Sequence, residues 1–257
     1  MNSHNYSFQT MKHFLLCVFL LLAAFGAGAQ TRRGNVYALV VGVSEYENPA
    51  DNLPYSASTA LEVYNLLKRN TSSDKIVLLT NKNATYQNIL NVAEWLFTQT
   101  NSDDSVIFYF NGHGYEGGLA AHDFWIDYSE LKQIFRRTKA QRKIIFADAC
   151  FSGIMRSRNT QRNSNSNNFE NQRVCLFLSS RSDQYSWQTS ELETGYFSYY
   201  LLAGLRGGAD TDRNKVITAR ELFNFVYPRV REHSGGIQTP VMWGRFENSM
   251  EILNWNR

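Results

Sequence analysis

SVIFYFNGHG, residues 105–114, and KIIFADACFSG, residues 143–153, follow one plan: a short apolar run closed by small residues and one reactive side chain. A run this short and this continuously apolar suits a strand covered on both faces, and such strands belong to parallel sheets joined by helices. Three further runs match it, VYALVVGV at 36–43, KIVLL at 75–79 and VCLFL at 174–178. Between them the spacing changes to that of helices. Ala60, Leu61, Tyr64 and Leu67 share one face of a helix predicted over 57–69, and Ile89, Leu90, Ala93, Leu96 and Phe97 mark a second. Further helices are predicted over 128–137, 195–205 and 219–230. The last is announced by Thr218 and Glu221, spaced as a capping box in which each side chain bonds the other's backbone N–H. Strands alternating with helices give an α/β fold, a mostly parallel central sheet with helices on both faces. No internal repeat interrupts it.

The chemistry gathers at two strand ends. Asn111-Gly112-His113-Gly114 follows the 105–110 strand, and Asp148-Ala149-Cys150-Phe151-Ser152-Gly153 follows the 143–147 strand. In open α/β sheets the carboxyl edge is where sites form. If these two strands are neighbours, the His113 imidazole and the Cys150 thiol face one crevice, the arrangement that activates a thiol as nucleophile. Alone, each residue also has an ordinary reading, a packed core cysteine and a structural histidine. Residues 112–117 match G-x-G-x-x-G, yet no amphipathic helix opens at the third glycine and the match falls on the third strand, so a dinucleotide site is not expected. The G-x-S-x-G elbow of serine hydrolases is absent.

Together these pieces resemble the caspase-like clan of cysteine peptidases (peptidase C14), its bacterial metacaspase-type members above all. GHG and DACFSG carry the resemblance, with VYALVVGVSEY, LPYSASTA, GYFSYYLLAGLRGGADT and TPVMWG, so that it spans nearly all of the chain after residue 29. It implies the caspase/hemoglobinase fold and a cysteine endopeptidase with catalytic His113 and Cys150. The backbone N–H groups of Gly114 and Cys150 would form the oxyanion hole, and Asp148 would bind the substrate. An acid two residues before the nucleophile goes with cleavage after Arg or Lys, whereas the Q-A-C-[RQG]-G signature of Asp-directed caspases is missing. Thr59 stands where metacaspases often carry a second acid, which weakens the case for a basic P1 residue. The implied partners are proteins or peptides with basic P1. The alternative is a catalytically weak or inactive binding or scaffolding relative.

The remaining features set the context. Lys12 and His13, the apolar run 14–25 and the small residues 26–29 have the order of a secretory signal cleaved after Ala29, with Met11 a possible start. The run falls short of the roughly 20 residues of a membrane span, so an exported protein, periplasmic or secreted, is expected. Residues 30–257 then form one domain: a large portion 30–155, a loop 156–173 and a small portion 174–257. The loop, RSRNTQRNSNSNNFENQR, is too polar to bury a core. Arg156, Arg158, Arg162 and Arg173 in or beside it make self-processing by a basic-directed enzyme one reading, and a solvated linker the other. A net charge of +3 over 257 residues, with no basic stripe interleaved with aromatics, points away from nucleic acid. Beyond the leader only Cys150 and Cys175 remain, too few for a disulfide framework, though a single bridge stays open. Asp210, Asp212, Asn214, the Val216 carbonyl, Thr218 and Glu221 fall at positions 1, 3, 5, 7, 9 and 12 of an EF-hand-like loop, with Lys215 where the turn normally needs glycine. Calcium is thus a possible ligand, while helix capping explains Thr218 and Glu221 without it. The peptidase chemistry itself requires no cofactor.

Overall fold

The computed structural model of the protein describes residues 34–71, 74–150 and 173–255. The leader, residues 151–153 and the loop up to residue 172 lie outside the described residues. The central sheet has six strands in the order β12-β8-β7-β3-β1-β2. They are β1 (Val36–Gly42), β2 (Ile76–Thr80), β3 (Ser105–Asn111), β7 (Arg142–Asp148), β8 (Val174–Leu178) and β12 (Val241–Gly244). All neighbours are parallel except β12, which runs antiparallel to β8 along one edge. Every residue of β1 and β3 is buried, as continuous apolar runs require.

Alternation along these strands splits the core in two. Leu39, Val41, Phe108, Phe110, Ile145 and Ala147 pack on one face against α2 (Tyr86–Thr98) and α3 (Tyr128–Arg137). Ala38, Val40, Ile107, Tyr109, Ile144 and Phe146 pack on the other against α1 (Ser56–Asn70), α4 (Tyr196–Ala203) and α5 (Ala219–His233). The five predicted strands are therefore present, and the helices lie on both faces.

The structure adds what has no period to read. Gly114–Tyr115 (β4), Gly118–Ala120 (β5) and Trp125–Asp127 (β6) form a small antiparallel sheet directly after His113. This is a hairpin, where a dinucleotide site would need a helix. Gln188–Thr189 (β9) pairs with Thr194–Gly195 (β10), and Val216–Thr218 (β11) with Glu251–Asn254 (β13). Strands of two to four residues are too short to show alternation. Gly195 caps α4, which gives way at Gly204–Gly208 to a wide turn with Gly207 at φ 109°. The last helix continues through Pro228 to His233, with the capping box of Thr218 and Glu221 at its start.

Candidate active site

The register between β3 and β7 sets Asn111 opposite Asp148, so the chain leaves both strands side by side at the carboxyl edge. His113 and Cys150 each lie two residues beyond that pair. Gly112 N–H donates to the Asp148 carbonyl at 3.2 Å, tying the two exits together. A Cβ on Gly114 would stand 2.2 Å from the Cys150 carbonyl oxygen. Only glycine allows the chain after His113 to lie this close to the backbone of Cys150. The two sequence-predicted catalytic residues and the two predicted oxyanion donors are thus at one edge.

His113 is braced from the loop after β1. Its backbone N–H donates to the Tyr46 hydroxyl at 2.8 Å, and the two rings lie 4.9 Å apart. Its Nε2 is 2.7 Å from the Asp51 carbonyl oxygen. A carbonyl can only accept, so Nε2 carries the hydrogen and Nδ1 is left as the basic nitrogen. Asp51 ends a short 3-10 turn, Pro49–Asp51, capped by Asn48. Burial pushes the Tyr46 hydroxyl well above its ordinary range, so it stays neutral.

Cys150 is half-buried, with Sγ 3.9 Å from the Ser186 carbonyl oxygen. Burial raises its thiol, the Asp148 charge adds to that, and the Ser186 backbone partly opposes it. Both effects favour the thiol over the thiolate.

Asp148 is buried and points to the α1/α4 face. It accepts from the Ser198 hydroxyl at 2.6 Å, from the Ser198 N–H at 3.2 Å, and from the Ser186 hydroxyl. Burial raises its carboxyl, and these hydrogen bonds pull back. The network extends from Ser198 to Tyr109 at 2.7 Å and to Asn111. No described cation is paired with it. A Cβ on Gly195 would come within 2.8 Å of Asp148 Oδ2, so glycine keeps the approach to the carboxylate open. Gln188 is paired with Gly195 across β9 and β10, and opposite residues of an antiparallel pair project to one side. Its Nε2 donates to Ser56 Oγ at 2.9 Å, while its buried Oε1 has no partner among the described residues. Thr59, which stands in place of a second acid, is buried and bonded to Thr194 at 2.8 Å.

With the site assembled, its relatives are informative. The caspase domain family, peptidase C14, matches residues 35–248. The chain belongs to the caspase-domain family. No curated protein sequence gives a significant match. Among solved structures, a structural-genomics crystal structure from Geobacter sulfurreducens superposes with a TM-score of 0.63, covering 83% of this chain and 94% of its own at 13% identity. At that identity the likeness speaks for the fold alone. For this caspase domain, family membership makes a cysteine peptidase the class of enzyme.

Several parts of the site have no signal in the sequence. The Asp51 group that holds His113 is a backbone carbonyl, and Ser186 and Ser198 are common residues. Gln238 is fully buried and anchors the Ser186 segment, accepting from Trp187 N–H at 3.1 Å and donating to the Ser179 carbonyl at 3.0 Å. Cys175 is buried in β8 and neither cysteine is bridged.

The 210–221 loop brings Asp210, Asp212 and Glu221 together, one oxygen of each within 4.8 Å of the others. Lys215 adopts φ 66°, making the turn without glycine. Asp210 accepts from Asn214 and Lys215 N–H at 3.1 and 3.0 Å, while Glu221 takes Thr211 and Thr218 on its two oxygens. The donor set suits calcium in kind, yet the loop's own N–H groups already engage it. Among the described residues, no helix is long and apolar enough to cross a membrane.

Proposed function

We propose that the protein is an exported cysteine endopeptidase that cleaves after Arg or Lys, with Cys150 as nucleophile and His113 as general base and acid. The observation that carries the specificity is Asp148, a buried carboxylate with no cationic partner among the described residues, two residues before the nucleophile. A substrate guanidinium or ammonium would supply the missing charge. Gln188 Oε1, without a partner among the described residues, would accept a further N–H from the same group.

In this reading Nδ1 of His113 takes the thiol proton as Sγ attacks the scissile carbonyl, because the thiol is held in its neutral form beforehand. The oxyanion is met by the N–H groups of Gly114 and Cys150. As the tetrahedral adduct collapses, the C–N bond breaks and His113 returns the proton to the leaving amine. Water, deprotonated by His113, then hydrolyses the thioester and frees the thiol. No step uses a metal; calcium, where the 210–221 register would hold it, belongs to that loop. Self-processing within 156–173 and export through the 1–29 leader complete the proposal.

Thr59 in place of a second acid favours the alternative, a relative that binds without useful turnover. Fluorogenic amides ending in Arg, Lys, Asp and Ala separate the two, with Cys150→Ala as control. The proposal expects Arg and Lys substrates to be hydrolysed and the control to be silent. Equal rates with and without Cys150 would leave only the binding module.

A further inference from the structure

On the sheet face opposite Asp148, a cavity of about 440 Å³ opens directly beside His113. Its lining includes Tyr46, Phe124 and Trp125, and carries three acids, Glu47, Asp51 and Asp123, with no Lys or Arg. Phe124 is 63% and Trp125 51% exposed, unusual for large aromatics that complete no core. None of the three acids is in an ion pair with a described residue. Asp123 accepts from Tyr86 N–H at 2.7 Å and Asp51 from Asn48 Nδ2 at 3.0 Å, which leaves their charges uncompensated.

The direction of the reaction assigns the cavity a role. Asp148, on the α1/α4 side, takes the side chain of the residue that becomes the acyl group. The leaving amine receives its proton from His113, so the peptide beyond the scissile bond departs over the imidazole, on the side where the cavity lies. A lining that combines aromatic residues with three acids suits one kind of side chain, a long aliphatic stem ending in a cation. We propose that this cavity is a leaving-side subsite selecting Lys or Arg within two residues after the cleaved bond. It rests on the peptidase reading for its place in the substrate path, and on its own lining for its chemistry.

The test uses peptides sharing one half that ends in Arg and carrying Lys, Ala or Glu at the first or second position after it. Rates with the active protein and dissociation constants with Cys150→Ala protein are measured on the same set. The Lys peptide should lead the Ala peptide by about tenfold in both, with Glu last. In Glu47→Gln/Asp123→Asn and in Trp125→Ala the ratio of Lys to Ala should fall towards one, whatever the absolute rate. Hydrolysis of all three peptides at one rate overturns the subsite and leaves the peptidase standing. Tenfold selective binding to the Cys150→Ala protein, lost in the Glu47/Asp123 variant, supports the subsite even where no peptide is turned over. Equal binding of all three overturns it in either case.

Discussion

Asp148 and Cys150 sit two residues apart on one strand end, and the charge of the first acts on the proton of the second. Asp148→Asn therefore has effects of opposite sign. On the proposed specificity, removing the carboxylate would leave the substrate guanidinium unpaired in a buried site, and kcat/KM for an Arg amide should fall by on the order of 10²–10³-fold. The same change removes a charge that holds the Cys150 thiol up, so iodoacetamide should alkylate Cys150 faster than in the parent protein at the same mildly alkaline pH. A parallel fall in both rates would mean that Asp148 acts only through folding. Gly114 is constrained as tightly. A methyl group there meets the Cys150 carbonyl at 2.2 Å, and the displacement should cost about 10²-fold in turnover, with circular dichroism reporting a retained fold.

At the scale of elements, what could be read from the sequence depended on length and burial. β3 and β7 were legible because strands covered on both faces must be apolar throughout, and their ends located His113 and Cys150. β4, β5 and β6 were not, since two or three residues carry no pattern, yet they hold the chain after His113: Ala120 N–H donates to the His113 carbonyl at 3.0 Å. Tyr46 and the Asp51 carbonyl escaped for a different reason. They matter through tertiary contact, and nothing in SEYENPAD distinguishes a bracing loop from a connecting one. The start of α5 was legible, because a capping box is written within four residues. Its loss is measurable: Thr218→Ala should cost about 1 kcal/mol and lower Tm by about 2–4 °C in a domain of this size. No change in Tm would show that the Glu221 N–H is satisfied without the Thr218 hydroxyl.

Across the whole molecule, the fold supplies an edge where two faces meet different environments. The α1/α4 face contributes a polar network of Ser198, Tyr109 and Asn111 around a buried acid, and the opposite face contributes aromatic residues around the far side of His113. Keeping that acid buried has a pH signature. The Asp148 carboxyl is raised above its ordinary value of 3.8 by burial, so the folded state holds its proton more firmly than the unfolded state does. Its contribution to stability is complete below the ordinary carboxylate value and is lost as pH rises through the raised one. Asp148→Asn lacks this loss, so the Tm of the variant minus that of the parent should increase with pH over that window. A difference independent of pH would mean that Asp148 titrates alike in both states. Substrate affinity should move the other way. Binding of an Arg amide to Cys150→Ala protein should tighten across the same window, as the carboxylate ionises.

The central claim is that a cationic side chain on Asp148 delivers a carbonyl to Cys150. A peptidyl-arginine ketone bearing a leaving group, followed by peptide mapping in the mass spectrometer, tests it in one measurement. The account predicts a single adduct on Cys150, none on the buried Cys175, and little reaction when the arginine is replaced by aspartate. An adduct formed equally with the aspartate reagent, or no adduct on Cys150 at all, would contradict it.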